Sequence, residues 1–152
     1  MLQILAAVAS FLTGSILTIQ SAVNGRLRVV TANPMFASLA SFSTGILSLM
    51  ILIPLFHFLG IYPLPELSRL LLVKPWMLVG GFIGTALVVG SIIIPKRIGL
   101  ASYFSMLVCG QLIGSVLADA IGLFGAEVHM PGLLRLTGVM CLVTGALLVQ
   151  KR

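Results

Sequence analysis

Acid chemistry in this chain rests on three carboxylates, Glu66, Asp119 and Glu127, among 152 residues. Asp119 is the one set inside an apolar run, GQLIGSVLADAIGLFGAE. Counted from Gly99, it falls about 30 Å along a helix, roughly one bilayer core thickness. Ile121, Leu123 and Phe124 carry the apolar pattern past it. At a helix centre a carboxylate costs about 2.5–3.5 kcal/mol on insertion scales. Within a turn or two of the interface it is tolerable, and Arg135, at the start of the next apolar run, is a partner within reach. Two readings stay open: a paired anchor at a helix end, or a group handling protons or cations at the mouth of a cavity.

Neutral polar groups supply the remaining chemistry. Gln20 and Asn24 are four apart and share a helix face, as do Ser38, Ser41 and Gly45 in the next apolar run, with Thr44 beside them. Gln111 precedes Asp119 by about 12 Å along one helix. Hydroxyls in membrane helices usually bond back to their own backbone, but amides at depth point to a partner or a wet cavity. The cavity candidates are therefore Gln20, Asn24, Ser41, Gln111 and Asp119, with Asp119 the candidate coupling group. His57 and His129 sit at the ends of apolar runs without a second ligand at metal spacing. Cys109 and Cys141 form neither a CxxC nor a thiol–imidazole pair and read as packing residues. HFLG and GGFIG lack the rest of a nucleotide fingerprint. No catalytic residue, metal or cofactor is expected, and the chain does not read as an enzyme.

These groups need elements to hold them, and composition says which. Hydrophobic residues make up 59% and charged residues 8% of the chain, with a mean hydropathy of +1.21, whereas soluble domains carry about 25% charged residues. The fold class is an all-α integral membrane protein. Five apolar runs, at about 2–23, 34–58, 75–94, 100–124 and 131–149, are each long enough to span. Asn33 and Pro34 cap and open the second, and Pro54 kinks or shortens its last turns. Residues 60–74 form a possible interfacial loop or helix, and Trp76 is a headgroup-level anchor. The first run is expected to end at NGRLR and to be retained: its leading MLQ has no base, and its apolar stretch exceeds a signal peptide's usual core. One membrane domain, 1–152, results.

A net charge of +6 would suggest nucleic-acid binding in a soluble protein. Here the bases sit in pairs between apolar runs (Arg26 and Arg28, Lys96 and Arg97, Lys151 and Arg152), which marks juxtamembrane anchors and excludes a nucleic-acid partner. With five spans, three bases (Arg69, Lys74, Arg135) face the six of the C-terminal side. That bias predicts a cytoplasmic C-terminus, and all three carboxylates fall at or toward the less basic side.

Small residues mark helix contacts. Gly80, Gly81 and Gly84 on the third run, and Gly110 and Gly114 on the fourth, are expected to pack within one bundle. Gly138 and Gly145 stand seven apart on the fifth, with Cys141 and Thr144 near the same face. That heptad is a seam either inside the chain or against a second subunit. Gly138, Cys141 and Gly145 are the candidate dimer contacts.

With IQSAVNGRL (19–27), the SF-x-x-G of Ser41, Phe42 and Gly45, GQL-x-x-S-x-x-AD-x-x-G around Gln111 and Asp119, and R-x-x-G at Arg135 and Gly138, the chain resembles the small YdcZ-like membrane proteins of the drug/metabolite transporter superfamily, nearly end to end. The Gly138–Gly145 heptad is also similar to the dimerisation helix of small multidrug-resistance transporters. The resemblance implies a five-helix half of an inverted-repeat transporter fold in a bacterial inner membrane. Its first four helices would line a cavity and the fifth would pack an antiparallel dimer. It implies a secondary transporter, an exporter of a small metabolite or amphipathic compound working by alternating access. The second subunit would be another copy or an oppositely oriented paralogue, with membrane lipid around both. The first helix lacks the acid that small multidrug-resistance proteins carry there, which argues against simple proton-coupled export of cationic drugs. The alternative is a non-transporting helical partner of a membrane complex, in which a soluble thiol reagent would not reach a cysteine at position 111. A passive pore lacks its expected ring of like charges.

Overall fold

The computed structural model describes residues 2–123 and 127–150. Phe124, the expected end of the fourth run, the loop residues Gly125 and Ala126, and the terminal Lys151–Arg152 pair lie outside them. Among the described residues there is no strand, and five helices are long and apolar enough to cross a membrane. Large apolar side chains point outward along all of them, as with Phe11 at 75% and Phe82 at 79% exposure. In water such surfaces would aggregate; in hydrocarbon they are the solvent face. The chain divides into two compact units, residues 1–93 and 94–152.

In the first unit, α1 (Leu2–Thr31) and α2 (Pro34–Phe58) form a hairpin. Contrary to the sequence expectation, α1 does not end at NGRLR but continues through Arg28 to Thr31. Charge ends a span, not a helix. Arg26, Leu27 and Arg28 are good helix formers, and the lone Gly25 costs only about 1 kcal/mol. At about 45 Å, α1 exceeds the core, so its last turns leave hydrocarbon or the helix tilts. The stop comes where the backbone changes. Ala32 adopts a left-handed φ of 53°, and the Asn33 side chain accepts from the Met35 and Phe36 amides at 2.8 and 3.2 Å. Pro34, lacking an N–H, fits the first helical position. α2 runs through Pro54 to Phe58.

Of residues 60–74, only one turn is helical, α3 (Leu67–Leu70). A 3-10 turn at Pro75–Leu78 leads into α4 (Val79–Ile93), which packs on both α1 and α2. The Ser21 hydroxyl donates to the Ser91 carbonyl at 2.8 Å, fastening α1 to α4. Both Ser21 and Asn24 of α1 are buried.

The second unit opens with a single turn, α5 (Pro95–Ile98), which ends at Gly99, whose φ of 85° favours glycine. There follow α6 (Leu100–Ile121), closed by left-handed Gly122 at φ 61°, and α7 (Leu133–Gln150). These two long helices pack together, with Cys109, Val116 and Ala146 buried. The Cys109 thiol donates to the Leu142 carbonyl at 3.4 Å.

Candidate functional site

A groove of about 630 Å³ opens between α1 and α2. That volume lies in the range of small-molecule sites, about 300–1,000 Å³. From α1 come Gln20, Val23, Asn24 and Leu27, successive members of one helical face. From α2 come Ala40, Ser41, Thr44, Gly45 and Ser48, again three or four apart. The two-residue turn fixes the register: Asn24 and Ser41 stand equally far from it, and Asn24 Nδ2 donates to Ser41 Oγ at 3.3 Å. The hydroxyls of Thr44 and Ser48 donate to the Ser41 and Thr44 carbonyls at 2.8 and 2.9 Å. Their oxygens keep acceptor lone pairs. Gln20 is exposed, and its amide bonds to no described residue. The groove is thus a band of neutral donors and acceptors in a hairpin whose outer faces are apolar.

Three of the five expected cavity residues, Gln20, Asn24 and Ser41, line this one groove. Gln111 and Asp119 lie in the second unit, both on α6. Gln111 is exposed along that helix. Asp119 Oδ2 accepts from Arg135 Nη2 at 2.5 Å, so the partner foreseen across the connection is present. The Asp119 carbonyl also accepts the His129 amide at 2.9 Å, which returns the connection to the end of α6. Among the described residues no cluster of His, Cys, Asp and Glu could hold a metal.

The glycine faces differ from expectation. A Cβ built at Gly80, Gly81, Gly84, Gly110 or Gly114 would meet no atom within 4 Å. Among the described residues, these glycines are therefore not points of close helix approach inside their own units, contrary to the packing expected there. Small residues on a face permit a close neighbour without requiring one. Gly138 and Gly145 are equally open. Cys141 and Gly145 also line a nearly apolar groove of about 550 Å³ between α6 and α7.

Sequence reasoning missed Ser48, which lines the groove. Ser48 follows Thr44 by four and was legible as a continuation of the Ser41 face.

Comparison with known proteins agrees with this architecture. The family described as "Putative inner membrane exporter, YdcZ" matches residues 5–148. No curated protein and no solved structure matches the chain. That description is of an exporter and not of an enzyme class. With nearly the whole chain matched and five spanning helices in place, the chain belongs to the YdcZ family of multi-pass inner-membrane proteins.

Proposed function

We propose that this protein is a secondary transporter that exports a small metabolite or amphipathic compound by alternating access, with the α1–α2 groove as its binding site. The observation that carries this reading is the polar lining of the groove (Gln20, Asn24, Ser41, Thr44 and Ser48) within helices otherwise built for lipid. Polar groups at depth are costly, and in membrane helices they mark substrate or ion pathways. A half-transporter needs a second half, and we propose an antiparallel dimer, of two copies or with an oppositely oriented paralogue. The open Gly138–Gly145 face of α7, with exposed Cys141, supports that assembly. Three bases against six favour a cytoplasmic C-terminus for the prevailing orientation. Gln111 and Asp119 are the candidates on α6. Asp119, paired with Arg135, is the candidate coupling group.

Flux in proteoliposomes tests the reading. Uptake of a labelled small-metabolite panel should saturate for at least one compound, and Gln20→Leu should lower that flux while leaving the unfolding midpoint unchanged. Flux equal to that of empty liposomes, or flux that never saturates, would contradict it.

A further inference from the structure

The α6–α7 pair carries a polar pocket that the transport reading does not use. The Cys109–Leu142 bond sets the antiparallel register of these two helices. About two turns back along α6 stands Ser102, and about two turns on along α7 stands Gln150. With Arg97 and Ile98 of α5 they line a pocket of about 300 Å³, the low end of small-molecule sites. Leu100 opens one membrane span and Gln150 closes another. The pocket therefore lies where spans end, at headgroup level.

Ser102 is the residue that calls for a ligand. Four polar side chains are buried among the described residues: Ser21, Asn24, Ser38 and Ser102. Ser21 donates to the Ser91 carbonyl, Asn24 to Ser41 and Ser38 to the Pro34 carbonyl. Ser102, only 5% exposed, enters a side-chain hydrogen bond through its backbone carbonyl alone, which accepts from the Ser105 hydroxyl. Its own hydroxyl has no partner among the described residues. The backbone explains why. A helical hydroxyl usually bonds the carbonyl one turn earlier, here that of Ile98, but Gly99 at φ 85° breaks the helix between the two. The Gly99 carbonyl is taken by the Tyr103 amide at 3.1 Å.

The charges around this hydroxyl favour an anion of one charge. The amides of the first turn of α6, before Tyr103, have no carbonyl within the helix, and no side chain caps them. That end of α6 is positive by about half a charge, and the carbonyl end of α7 is negative by as much, so the two nearly cancel. What remains is the Arg97 guanidinium, exposed and without an acid among the described residues. Glu66, Asp119 and Glu127 stand with Arg69, Arg135 and His129. A phosphodiester carries one negative charge, whereas a phosphate monoester carries about −1.5 to −2 at pH 7.

We infer that this pocket binds the phosphodiester of an anionic phospholipid such as phosphatidylglycerol. Arg97 pairs with the phosphate, and the Ser102 hydroxyl and the open α6 amides donate to its oxygens. Exposed Ile98 offers an apolar edge to the first acyl carbons. Inorganic phosphate shares the oxyanion chemistry, so the test separates the two sources. The inference stands on the second unit alone and does not depend on the transport reading.

The full-length protein is delipidated in dodecylmaltoside. Its unfolding midpoint is then titrated with dioctanoyl phosphatidylglycerol, dioctanoyl phosphatidylcholine, dioctanoylglycerol and inorganic phosphate. Phosphatidylglycerol should stabilise at the lowest concentration, because choline sets a cation beside its phosphate and dioctanoylglycerol has no phosphate. Arg97→Gln should weaken the apparent Kd about ten- to a hundredfold, the loss of one charge-assisted hydrogen bond. Ser102→Ala should weaken it about two- to tenfold. The same change should leave the lipid-free midpoint unchanged or higher, since the hydroxyl it removes has no partner. Lys96→Gln removes the same formal charge from the same turn, outside the pocket lining, and should shift Kd by less than about twofold. If Arg97→Gln fails to fold, the Ser102→Ala and Lys96→Gln pair and the headgroup series on the unaltered protein still decide. Inorganic phosphate binding as tightly as phosphatidylglycerol would assign the pocket to a soluble anion, and phosphatidylcholine binding as tightly would remove the charge selection; either overturns the proposal. Equal losses in Arg97→Gln and Lys96→Gln with none in Ser102→Ala would reduce it to diffuse surface attraction. A lower lipid-free midpoint in Ser102→Ala with lipid affinity intact would make the hydroxyl structural, and no response to any lipid would leave the pocket without its ligand. Each of these results would also overturn it.

Discussion

Ser41→Ala should destabilise the protein more than Asn24→Leu, although the alanine change removes one atom and the leucine change a whole amide. Asn24 is 4% exposed, and its Nδ2 donates to Ser41 Oγ at 3.3 Å. Removing the acceptor leaves a buried donor without a partner, a cost of about 1–3 kcal/mol. The neighbouring groove admits some water, so about 1–2 kcal/mol is the expected loss. Removing the donor leaves the half-buried Ser41 hydroxyl facing that same groove, where water replaces the amide. The loss is then that of one long interhelical hydrogen bond, about 0.6 kcal/mol in membrane bundles. The double variant has no orphaned donor, so it should resemble Asn24→Leu alone, with a coupling energy of about 1–2 kcal/mol, the size of the Ser41→Ala loss. Equilibrium unfolding of the four proteins in mixed dodecylmaltoside–SDS micelles measures the cycle. Additive losses, or Asn24→Leu costing more than Ser41→Ala, would refute the reasoning that this bond closes the α1–α2 hairpin.

The Asp119–Arg135 pair joins side chains 41% and 39% exposed, so screening limits its worth to about 0.2–1 kcal/mol; Asp119→Asn should shift the unfolding midpoint only slightly, and the charge-swapped double variant should restore it. Gly45 lines the groove, and a Cβ there meets nothing within 4 Å. Gly45→Ala should therefore fold at least as well, by up to about 1 kcal/mol of helix propensity, while lowering flux by narrowing the groove. Gly145→Leu, likewise unobstructed within the chain, should keep the monomer's fold but abolish Cys141-mediated oxidative cross-linking between copies, measured on gels with Cys109 replaced by Ser.

The spanning helices were legible because hydrocarbon demands long uncharged runs, and those runs are visible without any tertiary knowledge. The end of α1 was not, because Arg26 and Arg28 mark the membrane boundary while the helical backbone continues until Ala32 and Asn33. The groove was partly legible. Four-residue spacing puts Gln20 with Asn24, and Ser41 with Gly45, and a two-residue turn brings the two faces together. The Ser21–Ser91 fastening was invisible, since a hydroxyl and a backbone carbonyl 70 residues apart carry no local signal. The glycine faces show the same limit: sequence reveals that a face is small, and only geometry reveals that no described helix of the same unit has closed on Gly80, Gly84, Gly110 or Gly114.

Solvent access to Gln20 from the two sides of the membrane tests the central claim most directly. In a chain with Cys109 and Cys141 replaced by Ser, Gln20→Cys is labelled with a membrane-impermeant maleimide applied to either face of sealed vesicles. Phe11→Cys, at a position 75% exposed along the same helix, serves as the lipid-facing control. An alternating-access groove predicts labelling of position 20 from both faces and of position 11 from neither. Position 20 protected from both sides would contradict a water-accessible transport site between α1 and α2.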